Sequence, residues 1–190
     1  SVFQGFGARN TSPALWIDAL DGTISTIEVK GGTFLASIDG SIGGSVGGSI
    51  SADTSYINRL RNHTAETDPD LDLVVVQLST NDSKGQCETG VVSDSFDPAT
   101  FDEVTTTGAL EAIIAYAKET WGARVLVITG TYFEDEMTYS GGQNAEIYKT
   151  MIERCHELDE KWGDDFTVLD LWHNDVMYEN VKTGDSLWRS

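Results

Sequence analysis

Basic residues are scarce in this chain of 190 residues: 12 Lys and Arg stand against 31 Asp and Glu, a net charge of −19. Such a surface repels phosphate backbones and anionic lipid, so nucleic acid is not expected as a partner. Long apolar runs are also missing; none approaches the roughly 18 residues that a membrane span requires, and no span is expected. Cysteine is limited to Cys87 and Cys155. They are far apart and fall in different expected elements, which indicates neither a metal motif nor a disulfide framework, and no cofactor is implied. No signal peptide is seen at the N-terminus, and the abrupt start suits a trimmed product as well as a native one.

An apolar fraction of 39% is that of a globular protein, and the length suits one domain over residues 1–190. The acidity would suit a neutral or cationic substrate, although acidic surfaces are ordinarily only solvated ones. Two continuous β-branched runs, Leu71–Gln77 and Arg124–Gly130, have the pattern of parallel strands covered on both faces. Phe166–Asp170 and the weaker Thr26–Val29 complete four expected strands. Helical periodicity is read over about Ser55–Asn62, Phe101–Trp121 and Gln143–Trp162. This alternation predicts β-α-β crossovers and an α/β three-layer α/β/α sandwich, in which ligands gather at the carboxyl ends of the strands. The glycine-paired stretch Gly40–Ile50 reads as a mobile loop or lid. Without a following Gly-Lys-Ser/Thr it is not a phosphate cradle.

The segment Leu78-Ser-Thr-Asn-Asp82 puts small polar residues at that carboxyl edge. Asn81 can aim its amide into a site there, or the segment can serve as a turn or helix cap. His63 follows an expected helix and suits a C-terminal cap; His156 belongs on a helix surface.

Three blocks in order give these residues a common context. Ser1-Val-Phe-Gln-Gly5 resembles the nucleophile turn of SGNH (GDSL-type) hydrolases, Val29-Lys-Gly-Gly-Thr33 their glycine block, and Ser79-Thr-Asn-Asp82 their Gly-x-Asn-Asp block, with Ser79 in place of glycine. The string Gln77–Asp82 is similar to a bacterial group of the superfamily, whose later segments are matched by Tyr116–Trp121, Thr129–Thr131 and Asp170–Trp172. The resemblance implies a flavodoxin-like parallel sheet and a serine esterase acting on small or carbohydrate-linked esters. It implies Ser1 as nucleophile, with oxyanion donors from Ser1, Gly32 (Gly31 is its neighbour) and Asn81.

The base expected by resemblance is the His of an Asp-x-x-His block. Asp170-Leu-Trp-His173 fits it literally, yet that block normally falls further downstream, and His173 equally suits a polar residue on the loop after the strand. Gly184-Asp-Ser-Leu187 follows no buried strand, so Ser186 reads as coincidence. The strand that delivers the nucleophile in this superfamily lies between the second and third strands and precedes Ser1. Its absence, with that of a later Asp-x-x-His, suggests a fragment cut at both ends. A non-catalytic α/β ligand-binding module of the same fold is the competing expectation. An N-terminal-nucleophile hydrolase is disfavoured by the parallel-strand pattern.

Overall fold

The computed structural model describes residues 19, 21–28, 30–38, 54–133, 144–176 and 178–179, and the backbone of 40–41 and 49–50. Two strands of two residues, β1 (Gly40–Ser41) and β2 (Ser49–Ile50), pair antiparallel. They flank residues 42–48, the middle of the expected loop, which lie outside the described residues. The main sheet holds β3 (Leu73–Gln77), β4 (Arg124–Ile128) and β5 (Phe166–Leu169), in the order β3-β4-β5 and parallel throughout. The chain is therefore a mixed α/β protein with a small parallel sheet and helices. In β4 the alternating pairs Val125/Val127 and Leu126/Ile128 belong to opposite faces. Val125, Val127 and Ile128 are buried and Leu126 is half-buried, as continuous apolar strands require.

The helices that pack with this sheet include α1 (Tyr56–Leu60), α2 (Thr80–Lys84), α3 (Thr106–Trp121) and α4 (Ala145–Trp162). The helix expected from Phe101 begins only at Thr106. Pro98–Thr100 forms a separate 3-10 turn, and Thr105 caps α3 by accepting a hydrogen bond from the Gly108 N–H at 3.1 Å. A Cβ on Gly108 would come 2.2 Å from the Asp102 carbonyl oxygen, so only glycine lets this turn close against the helix. Asn144 caps α4 in the same way, through the Ile147 N–H. Buried Tyr148, Met151, Ile152, Cys155, Leu158 and Trp162 recur at three- and four-residue spacing along α4. They join Leu110, Ile113, Ile114 and the β4 valines in one core.

Two further expectations need correction. Thr26–Val29 is not a strand: residues 22–28 have no regular structure, and Val29 lies outside the described residues. The side chains explain this, because the Ser25 and Thr26 hydroxyls both donate to Asp68 Oδ1 (2.9 and 2.7 Å) and Glu28 pairs with Arg59. The segment is thus fastened by its side chains rather than by a backbone ladder. His63 does not cap the preceding helix with its ring. Its Nδ1 lies 2.8 Å from Asp68 Oδ2 and its Nε2 3.5 Å from Glu28. The Asp68 carboxyl is held below the usual range, chiefly by His63 and then by the Thr26 and Ser25 hydroxyls.

Candidate active site

The polar segment after β3 is built by two competing demands: the sheet carries it forward, and its side chains turn it into a helix. The Leu78 N–H still donates to the Ile128 carbonyl, at 2.9 Å. Ser79 then stands at the N-cap of the short helix α2, without a side-chain cap bond. Asn81 Nδ2 donates to the Thr33 carbonyl oxygen at 2.9 Å, and the Ser79 hydroxyl donates to the same oxygen at 3.4 Å. Asp82 is fully buried and accepts the Leu35 and Ala36 N–H groups at 2.9 and 3.0 Å. The Asn-Asp pair thus grips residues 33–36 through three hydrogen bonds.

Gly32 stands next to this grip at a φ of +73°, a left-handed conformation that side chains disfavour, and a Cβ there would meet nothing within 4 Å. Gly31, its neighbour, has no positive φ. Gly32 and Asn81 line one cavity of about 420 Å³, with Thr33, Tyr56 and Ser79. Burial raises the Tyr56 pKa, partly offset by hydrogen bonds to Thr33 and Ser79.

The cavity touches the five consecutive residues Val74–Leu78. Successive strand side chains point to opposite faces, so contact with all five means that the cavity runs along the strand's edge. The other edge of β3 is paired with β4. Residues 30–33 also line the cavity. Its far end is marked by Glu28, Arg59 and His63. The His63 carbonyl accepts from the Tyr116 hydroxyl and the Asp68 carbonyl from Trp121 Nε1, near the C-terminal end of α3. Gly32 and Asn81 are therefore at the carboxyl end of β3, and His63 is at its amino end.

Burial pushes the Asp82 carboxyl up to about 6, against the hydrogen bonds from Ser79 and from the Ala36 and Leu35 N–H groups. Burial likewise raises the Cys87 thiol, beside Asp82, to about 12, and the buried Cys155 thiol to about 12. Neither is a nucleophile at neutral pH. No protein-family model, no curated protein and no solved structure matches this chain.

Asp170 and His173 follow β5. Asp170 Oδ2 lies 2.7 Å from His173 Nδ1, the ring nitrogen that a carboxylate holds in an acid–base pair, so the rest of the imidazole faces away. The turn is pinned from β4: Thr129 Oγ1 accepts the Leu171 and Trp172 N–H groups at 2.8 and 3.2 Å. Buried Trp172 packs 5.4 Å from the Tyr148 ring, whose hydroxyl accepts the Gly130 N–H at 2.7 Å and donates to the Leu78 carbonyl at 3.4 Å. The carboxyl ends of all three strands are thereby tied together. Neither Asp170 nor His173 lines the cavity that holds Gly32 and Asn81.

Burial pushes the Asp170 carboxyl up, but hydrogen bonds from His173 and His156 outweigh it and hold the group at about 2. His156 is on the exposed side of α4, with Nε2 2.9 Å from Asp170 Oδ2. Among the described residues, no group of three or more His, Cys, Asp and Glu has the geometry to hold a metal ion. Ser1, Gly5 and Ser186 lie outside the described residues.

Sequence reasoning overlooked the Asp82 anchor, for which the Asn-Asp pair itself was the available signal. Nothing in the sequence links His156 to Asp170, which is 14 residues away. The pairing arises only when α4 packs beside β5.

Proposed function

We propose that this protein is a serine esterase or deacylase of the SGNH type, acting on small or carbohydrate-linked carboxylic esters. The observation that carries this reading is the hydrogen bond from Asn81 to the Thr33 carbonyl, which draws Asn81 and the left-handed Gly32 to one end of a single cavity. A backbone N–H at Gly32 and the remaining amide hydrogen of Asn81 are donors of the kind that stabilise a developing oxyanion. A flavodoxin-like three-layer sandwich is the finer reading of the parallel sheet.

In this mechanism the Ser1 hydroxyl oxygen attacks the acyl carbon and its proton passes to Nε2 of His173, held by Asp170. The carbonyl oxygen, now negative, takes hydrogen bonds from Gly32 and Asn81. Collapse expels the alcohol, which leaves with the proton from His173, and water then releases the acid from Ser1 by the same steps. Labelling by a fluorophosphonate that is abolished in Ser1→Ala is the expected result; no labelling of the wild-type chain sinks the proposal.

One observation favours a second reading, a ligand-binding module of the same fold. Asp170 and His173 do not line the Gly32–Asn81 cavity. Saturable binding of an ester at that cavity without turnover would decide for the module.

A further inference from the structure

Asp170 carries more hydrogen bonds than a simple acid–base pair requires. Its Oδ1 accepts the Trp172 and His173 N–H groups at 2.9 and 3.1 Å, which locks that oxygen to the turn after β5. Its Oδ2 faces two imidazoles, His173 from the same turn and His156 from α4, at 2.7 and 2.9 Å. The two rings differ in what holds them. The His173 side chain is 65% exposed and stands on a short turn, whereas His156 is carried by an 18-residue helix whose adjacent Cys155 is buried in the core.

We propose that His156 is a positioning residue for the Asp170–His173 pair. It donates its Nε2–H to Asp170 Oδ2 from the rigid side and so fixes the carboxylate plane. The same oxygen then selects the Nδ1–H tautomer of His173 and leaves Nε2 as the proton acceptor. A neutral histidine has one N–H, and which nitrogen bears it is set by the hydrogen bond the ring makes. Without His156 the carboxylate is oriented only by the turn that His173 itself belongs to. This inference rests on the esterase reading for its catalytic consequence, but the tautomer does not depend on substrate.

The test uses the whole chain, labelled with nitrogen-15, as wild type, His156→Ala and His156→Gln. Ring-nitrogen spectra report the tautomer of His173 at a pH where the ring is neutral. Hydrolysis of p-nitrophenyl acetate reports kcat and KM. In the wild type, His173 is expected as the Nδ1–H form. In His156→Ala that form loses ground to Nε2–H, and kcat falls about tenfold with KM unchanged, as a loosened reacting group predicts. His156→Gln retains a side-chain N–H donor and restores both signals, which a merely structural role of the ring would not do. Ring signals of His173 that are the same in wild type and His156→Ala overturn the inference, as does a wild-type His173 in the Nε2–H form. A wild-type chain without ester turnover overturns the esterase reading alone, because the ring signals are read without substrate.

Discussion

Replacing Asp82 by alanine probes the anchor of the candidate site directly. The change strands the Leu35 and Ala36 N–H groups, which now donate to the carboxylate at 2.9 and 3.0 Å in a fully buried place. A buried donor left without a partner costs about 1–3 kcal/mol, so the two together cost about 4 kcal/mol. The carboxylate has a cost of its own, since burial raises its pKa from 3.8 to about 6. A folded-state pKa above the unfolded one stabilises the fold fully below the unfolded value, and that contribution is lost as pH rises through the folded value. The wild type therefore gains roughly 2 kcal/mol between pH 8 and pH 4 that Asp82→Ala does not.

The destabilisation by Asp82→Ala is thus expected to grow by about that amount on acidification over the same range. Urea denaturation at pH 4, 6 and 8 measures it, and hydrogen exchange at Leu35 and Ala36 locates it. A loss of less than about 1 kcal/mol with both amides still protected refutes the anchor. A loss that is the same at all three pH values refutes the burial of the charge.

Asn81→Ala removes one oxyanion donor, and kcat is expected to fall about 100-fold in an esterase assay, while the fold keeps its main anchor in Asp82. Gly32→Ala puts a side chain at a φ of +73° in open space, so strain alone should cost about 1–2 kcal/mol by thermal unfolding. Lys161→Met leaves Glu111 buried without the ammonium that lies 2.5 Å from it, for an expected loss of about 3–5 kcal/mol in urea, which Glu111→Leu in the same chain should largely restore. The same ammonium donates to the Ser93 and Ser95 carbonyls, so limited proteolysis of Lys161→Met should cut near them first. The Asp170 pKa is lowered to about 2, so its contribution is present above the unfolded value and is lost as pH falls from about 4 to 2. Because the group is partly open to solvent, that loss should be only roughly 1 kcal/mol, and smaller still in a chain with both His156→Ala and His173→Ala.

Local pattern decided the elements built from apolar, β-branched runs or from residues at helical spacing. β3 and β4 are apolar over Leu73–Val76 and Val125–Ile128, β5 is broken only by Thr167, and α4 repeats its buried residues at helical spacing, so hydrophobic pattern alone marks them. Thr26–Val29 was misleading for the same reason: its composition is that of a strand, but the hydroxyls of Ser25 and Thr26 find a carboxylate 43 and 42 residues away, and composition carries no record of that partner. The short helix α2 was equally hidden, because Thr80–Lys84 is polar and helical only where Asp82 and Asn81 reach back to residues 33–36.

By itself the sequence determined that this is an α/β chain with a polar segment at the carboxyl end of an apolar strand, because side-chain period and β-branching act through neighbours along the chain. Only the tertiary structure decided which polar residues share a site. It brought Asn81 to the turn of Gly32, buried Asp82 beneath that turn and set two imidazoles on one oxygen of Asp170. Apart from the His173–Asp170 pair, those contacts join residues 14 to 48 positions apart, and hydrogen-bond reach in space is not written in spacing along a chain.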